Sequence, residues 1–403
     1  MNRRDKLPKD LEPLAAELRA AKTERGFEVV SHDRIVSVLM TIFPFDSQLV
    51  DTERRRVLIA AIGKLAESGP ISRNSLEASI RREEAVALKE PLRAFLLASN
   101  LSITLFGRVR PARFSGGIAL MRHLPRKILD GRADQDAGIA EKDRLVLNYM
   151  GVVTRVRARS PAHALELALN RLDFVRGVWN FAHVRPTIWQ STSDPTTPIA
   201  RVRFSRIHTL HTPDGQLATS TFWFNPEYRK LSFTSLPDRE WNRMQKMLRS
   251  VQQRIPRIQY REELERAFVH YGRALDATDM ESAFLKLWSI LEFISGAGGE
   301  RYDTMLGRAA FLFQPDKVTS YVLEHLRYQR NEIAHLGTPQ QELRSLVFQL
   351  KLFVEQMLAF HLSMGRHFES LDEAGRFMDL HQAAGALRRR VELIEKALKF
   401  RRQ

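Results

Sequence analysis

Apolar residues recur at three-to-four spacing through most of the first hundred positions, in LEPLAAELRAAK, HDRIVSVLMTIF, DTERRRVLIAAIGKLAES and SRNSLEASIRREEAVALKEPLRAFLLAS. That spacing predicts helices packed by one face. Asp51 and Ser72 stand where N-caps belong, and SGP at 68–70 separates two of the helices. From about Leu101 the period changes. LSITLFGRV and RLVLNYMGVVTRVRAR alternate or run β-branched, as strands do, and LPRKILDGRADQDAGIAEKD between them reads as a loop rich in Gly and Asp. SPAHALELALNRLDFVRGVWNFA follows as an amphipathic helix with Ser160 as N-cap and Pro161 in the first turn. ARVRFSRIHTL and LATSTFWFNP flank HTPDGQ, whose Pro-Asp-Gly signals the turn of a β-hairpin. Beyond Pro237 the helical period returns and persists, with Asp279 as a cap and Gly296 as a stop around DMESAFLKLWSILEFISG.

The resulting expectation is a mainly helical α+β multidomain chain. Residues 1–100 form a helical N-terminal region, 101–240 a mixed α+β domain, 241–370 an all-α helical bundle, and 371–403 a basic C-terminal helix. A winged-helix-like unit is one option for the N-terminal region, although no residue set there marks a DNA-reading helix.

Composition narrows the function classes. No run of eighteen or more uncharged apolar residues occurs, so no membrane span and no membrane partner are expected. The first residues, MNRRDKLPKDLEP, lack an apolar core and do not read as a secretory signal. The absence of cysteine excludes thiol catalysis, disulfides and cysteine-ligated zinc, and fits a cytoplasmic home. The balance of 63 basic to 47 acidic residues, a net charge of +16, favours a polyanionic partner. The final GALRRRVELIEKALKFRRQ, with seven basic and two acidic residues, reads as a solvated helix face that can also touch phosphate.

Several candidate sites are weak. The histidines of HTLH, His208 and His211, fall on a strand where they do not converge, and HLSMGRH lacks a third ligand, so no metal is expected. GxGxxG, P-loop, HExxH and GxSxG motifs are absent, and no cofactor is expected. Trp223 with Phe222 and Phe224 can stack bases, but an aromatic core strand is the expected reading.

The chemistry concentrates in RYQRNEIAHLGTPQQ, residues 327–341, which crowds Arg330, Asn331 and His335 onto a helix whose pattern otherwise belongs to a core. A surface cluster, a polar helix end and an active site are all open readings of it. Gly337 suits the left-handed position that ends a helix, with Thr338 as cap, Pro339 as first residue and Gln341 as capping-box partner of the next. His335 then sits at a helix C-terminus, where the dipole favours its cation. Asn331 and His335 share a face, four residues apart, whereas Arg330 lies about 140° round the wheel from His335 at roughly 100° per residue. The three offer an anion clamp, a hydrogen-bonding group and a proton-transfer group, the set that a phosphodiester beside a ribose 2′-hydroxyl requires.

RNEIAH, preceded by AFLKLWSILEFISG and RYDTMLGRAAFLF in that order, resembles the HEPN domain family, in its Apea-like branch, over about residues 275–365. The resemblance implies a helical bundle that dimerises so that two Arg-x4–6-His motifs face one another, and a metal-independent endoribonuclease of toxin–antitoxin, abortive-infection or anti-phage systems. It implies that Arg330 and His335 form the catalytic pair, that Asn331 positions them, and that Glu292 and Arg327 support them. RNA would be the substrate, a phage-derived trigger or an antitoxin a further partner. The alternatives are a non-catalytic HEPN scaffold or sensor, and a basic DNA-binding regulator.

Overall fold

A computed structural model of the chain describes residues 13–14, 16–17, 22–23, 26–27, 29–68, 72–105, 112–114, 116–137, 149–184, 197–225, 227–228, 234–297, 302–313, 317–336, 343–380 and 383–401. The protein is mainly helical with a small mixed-sheet component. The predicted helix over LEPLAAELRAAK falls mostly outside the described residues. In chain order the elements are β1 (Lys22–Thr23), β2 (Gly26–Phe27), α1 (Val29–Ile42), α2 (Asp51–Ser68), α3 (Arg73–Lys89), β3 (Arg93–Leu101), β4 (Ile103–Leu105), β5 (Ala112–Phe114), β6 (Ile118–Met121), α4 (Arg126–Ala137), β7 (Met150–Ala158) and α5 (Pro161–Val184). They continue with β8 (Ile207–His211), β9 (Trp223–Phe224), β10 (Thr234–Leu236), α6 (Asp238–Arg254), α7 (Arg261–Asp276), α8 (Met280–Ile294), α9 (Tyr302–Phe311), α10 (Lys317–Leu336), α11 (Leu343–Met364), α12 (Leu371–Met378) and α13 (Ala384–Arg401).

Local signals explain most boundaries. Ser72 caps α3 through a reciprocal pair with Ser75, and Ser160 caps α5 by accepting from the His163 amide. Asp279 caps α8 by accepting from the amides of Glu281 and Ser282. Gly296 ends α8 at φ +68, and a Cβ there would lie 2.7 Å from the Leu371 carbonyl oxygen. The hairpin between β8 and β9 is present, with Ile207 opposite Phe224 and His208 opposite Trp223, and Gly215 turns its tip at φ +98.

Three expectations are corrected. Asp51 is the first helical residue of α2 and not its cap, because the Val50 carbonyl accepts the Glu53 and Arg54 amides. The helix through SRNSLEASIRREEAVALKEPLRAFLLAS stops at Lys89, since Pro91 forces Glu90 into an extended conformation, and Arg93–Leu101 continues as strand β3. The segment read as a Gly- and Asp-rich loop contains α4. Pro125 starts it, its carbonyl accepting the amides of Ile128 and Leu129, and Ile128 and Arg132, four apart, are both buried.

The chain divides into two compact units. One comprises Met1–Leu97, Arg155–Leu169 and Leu210–Thr221. Its core joins α1, α2 and α3 through Val36, Leu39, Leu58, Ile62, Leu76 and Ile80. It also buries Glu53, whose Oε1 accepts from Ser160 Oγ at 3.3 Å and lies 3.0 Å from His163 Nδ1.

The other unit comprises Ala98–Thr154, Asn170–Thr209 and Phe222–Gln403. Among its strands β6 pairs antiparallel with both β5 and β7, and β10 pairs parallel with β4. Its helices build a bundle in which α8 packs against α7 and α11, and α9 and α10 pack on each other and on α8. The fully buried side chains at its centre include Trp288, Tyr271, Phe268 and Phe284. α5 and α7 cross where Gly177 meets Phe268: a Cβ on Gly177 would fall 2.1 Å from the Phe268 carbonyl oxygen, so no larger residue fits. Beside that crossing Arg176, wholly buried, is held between Asp173 (2.6 Å) and Asp276 (2.7 Å). The two carboxylates outweigh burial and keep the guanidinium charged.

Candidate anion-binding site on helix α10

α10 buries Leu323, Leu326, Gln329 and Ile333, the i, i+3, i+6 and i+10 positions of one face. It exposes Val318, Tyr321 and Tyr328 on another, at 68, 69 and 59%. The helix is described as far as Leu336, one residue beyond His335. Only the backbone of His335 is described, in the last helical turn. Gly337, Thr338, Pro339 and Gln341 lie outside the described residues.

Arg330 is half-buried. Its guanidinium carbon lies 5.4 Å from the centroid of the Tyr302 ring, and its Nη1 donates to Asn331 Oδ1 at 3.2 Å. The Tyr302 ring is itself 6.0 Å from Trp288 in an edge arrangement, and Trp288 stacks on Phe284 at 6.4 Å. Three rings from α8 and α9 thus form a column whose outer end carries the Arg330 cation. Among the described residues no carboxylate pairs with Arg330.

Arg327 stands in contrast. It donates to Asp303 at 2.7 Å and to Glu324 at 2.8 Å, so two acids neutralise it. Asn331 is exposed beside Arg330 and accepts from it through Oδ1, so its amide nitrogen remains a donor. Glu292 is half-buried on α8, one turn beyond Trp288, and makes no hydrogen bond or ion pair with Arg330 among the described residues.

The sequence reading missed three members of this neighbourhood. Tyr302 supplies the ring under Arg330, and Asp303 the acid on Arg327. Gln329 buries its side chain with Oε1 unpartnered among the described residues. Tyr302 and Asp303 stood in RYDTMLGRAAFLF, but nothing in one dimension places them against α10.

The other candidates resolve differently. His208 and His211 are both buried, but His208 Nδ1 lies 2.9 Å from Ser99 Oγ and His211 Nδ1 2.9 Å from the Gly215 carbonyl, so they share no ligand. His361 is buried between the Tyr260 hydroxyl, which donates to Nδ1 at 2.9 Å, and the Ile294 carbonyl, which accepts from Nε2 at 2.8 Å. Burial lowers both His208 and His361 to a pKa of about 4, so both are neutral near pH 7. Among the described residues no group of three His, Asp or Glu side chains is placed to hold a metal ion, and no helix is long and apolar enough to cross a membrane.

The expectation of an aromatic core strand at 222–224 is corrected. Phe222 and Trp223 are half-buried and Phe224 is 52% exposed, because β9 is the terminal strand of the sheet order β5-β6-β7-β3-β8-β9. Phe222 and Phe224 meet edge to face at 5.1 Å, and the Arg206 guanidinium lies 5.5 Å from the Phe224 ring.

Comparisons with protein-family models, with curated proteins and with solved structures return no match for this chain.

Proposed function

We propose that the protein is a metal-independent endoribonuclease of the HEPN type, acting in anti-phage defence or a toxin system, with its site at the C-terminal end of α10. The observation that carries this reading is the state of Arg330. It is half-buried, braced on Tyr302 and free of any acidic partner among the described residues, while Arg327 one turn away is doubly neutralised. A guanidinium held this way is prepared for an external anion, and RNA is the polyanion that a net charge of +16 favours.

In this reading a ribose 2′-oxygen attacks the adjacent phosphorus. The new P–O2′ bond forms as the P–O5′ bond breaks, leaving a 2′,3′-cyclic phosphate and a 5′-hydroxyl. The 2′-hydroxyl gives up a proton and the 5′-oxygen gains one. His335, in the last described turn of α10, serves this proton traffic. Arg330 stabilises the charge that builds on the phosphorane oxygens, and Asn331 orients Arg330 through Oδ1. A second copy, docked against α10, supplies the second proton-transfer group. The exposed Phe224, edge to face with the half-buried Phe222 and beside Arg206, offers a stacking surface for unpaired bases.

The test incubates the purified protein with total RNA in EDTA, beside Arg330→Ala and His335→Ala. Cleavage by the wild type, lost in both variants and yielding cyclic phosphate ends, supports the reading. Intact RNA with the trigger present, or equal cutting by the variants, leaves a non-catalytic scaffold as the better description.

A further inference from the structure

Helix α13 spans eighteen residues and buries none of them. A solitary helix of that length is marginal in water, because its nucleation is repaid mainly by packing an apolar face. α13 has such a face. Leu387, Val391, Ile394 and Leu398 follow at intervals of four, three and four, and the last three are 54, 52 and 56% exposed. That alternation matches two heptads of a coiled-coil seam, with Val391 and Leu398 at a positions and Leu387 and Ile394 at d positions.

We propose that α13 pairs with α13 of a second copy of this chain in a parallel, in-register two-stranded coiled coil. The charges flanking the seam select this occupant. With Val391 at a, Arg390 occupies a g position and Glu395 the e position five residues on, the two that meet across parallel chains. Each Arg390 then faces Glu395 of the partner subunit, and two-fold symmetry makes the contact twice. Of the other flanking positions, Ala397 at g and Arg388 at e bring no further charge pair across the seam, whereas Arg401 at the last d position meets its own copy at the C-terminal end of the helix. Among the described residues no ion pair within the chain engages Arg390 or Glu395. The other basic residues, Arg389, Lys396 and Lys399, project away from the seam. The pairing covers four apolar layers, and it is separate from the docking of α10 faces proposed above.

The chain has no cysteine, so one introduced thiol reports on one contact. Full-length Val391→Cys and, as an outward-facing control, Arg389→Cys are oxidised at low micromolar concentration without RNA. At the effective concentration inside a paired helix, Val391→Cys is expected to form the disulfide-linked dimer at least about tenfold faster than the control. Adding Ile394→Asp to Val391→Cys should abolish that advantage while the melting of the main body is unchanged. Equal rates for the two single variants, or a Val391→Cys protein that stays monomeric because α13 folds onto its own chain, overturn the proposal. Cross-linking is read without cleavage, so its failure and the failure of the ribonuclease reading are told apart.

Discussion

The guanidinium of Arg330 lies 5.4 Å from the centroid of the Tyr302 ring, and this contact holds a cation on α10 without spending its charge on an acid. A cation–π contact leaves the guanidinium edges open for hydrogen bonds, whereas a carboxylate would occupy them. Arg327, on the same helix, meets Asp303 and Glu324 and shows the other outcome. The two arginines therefore make a matched pair for mutation.

Arg330→Ala is expected to lower the rate of RNA cleavage by on the order of 10²–10³-fold, as removal of a preorganised charge-stabilising donor does. Arg327→Ala should change the rate by less than about tenfold, since surface ion pairs contribute about 0–1 kcal/mol. Single-turnover cleavage of one labelled oligonucleotide separates the cases. Similar losses in both variants would contradict the special status of Arg330.

Asn331→Asp should be more damaging than Asn331→Ala. The new carboxylate would stand where Oδ1 now accepts from Arg330 at 3.2 Å and would neutralise the cation. RNA affinity, read as fluorescence anisotropy against salt, is expected to fall more steeply for the aspartate variant, with the slope of log K against log salt reduced by about one. A milder effect for aspartate than for alanine would rule out an anion-binding role for Arg330.

Tyr302→Phe keeps the ring and should leave cleavage unchanged, while Tyr302→Leu removes the π face. The loss of a contact of about 0.5–2 kcal/mol predicts a fall of roughly two- to thirty-fold in the leucine variant. Thermal melting of both variants distinguishes lost positioning of Arg330 from a loosened bundle.

Gly177→Ala should destabilise the α5–α7 crossing by at least about 1–3 kcal/mol, the range for overpacking, because its Cβ would enter the Phe268 carbonyl at 2.1 Å. Denaturant unfolding provides the check. A variant as stable as the wild type would show that the helices separate at little cost.

Stability should fall as pH drops from about 6.5 to about 4. His208 and His361 are held neutral by burial, with pKa values of about 4 against an ordinary 6.5. Below 6.5 the unfolded chain binds protons that the folded chain refuses, so the contribution is complete above 6.5 and is lost on acidification. Each histidine accounts for roughly 3 kcal/mol at the end of that window. His361→Gln should flatten part of the profile, and an unaltered profile would place the acid sensitivity elsewhere.

The sequence by itself determined the elements whose cause is local. Ser72, Ser160 and Asp279 cap helices because their side-chain oxygens reach amides two or three residues on, and Gly215 and Gly296 turn because they can take positive φ. The hairpin over HTPDGQ follows from the same short-range chemistry. Where two periods compete over a short run, local reading fails. The apolar run of β3 is buried on one face and mostly half-buried on the other, so it imitates a helix, and α4 hides its buried Ile128 and Arg132 among loop-like residues.

Only the tertiary structure decided the chemical state of the candidate site. Arg330 and Arg327 differ in sequence only by the glutamate three residues before Arg327. Their difference comes from Tyr302 and Asp303, more than twenty residues earlier, which α9 brings against α10. Glu324, three residues before Arg327, is a neutralising contact that helical spacing encodes, but the Asp303 and Tyr302 contacts between sequence-distant side chains are not encoded along one helix.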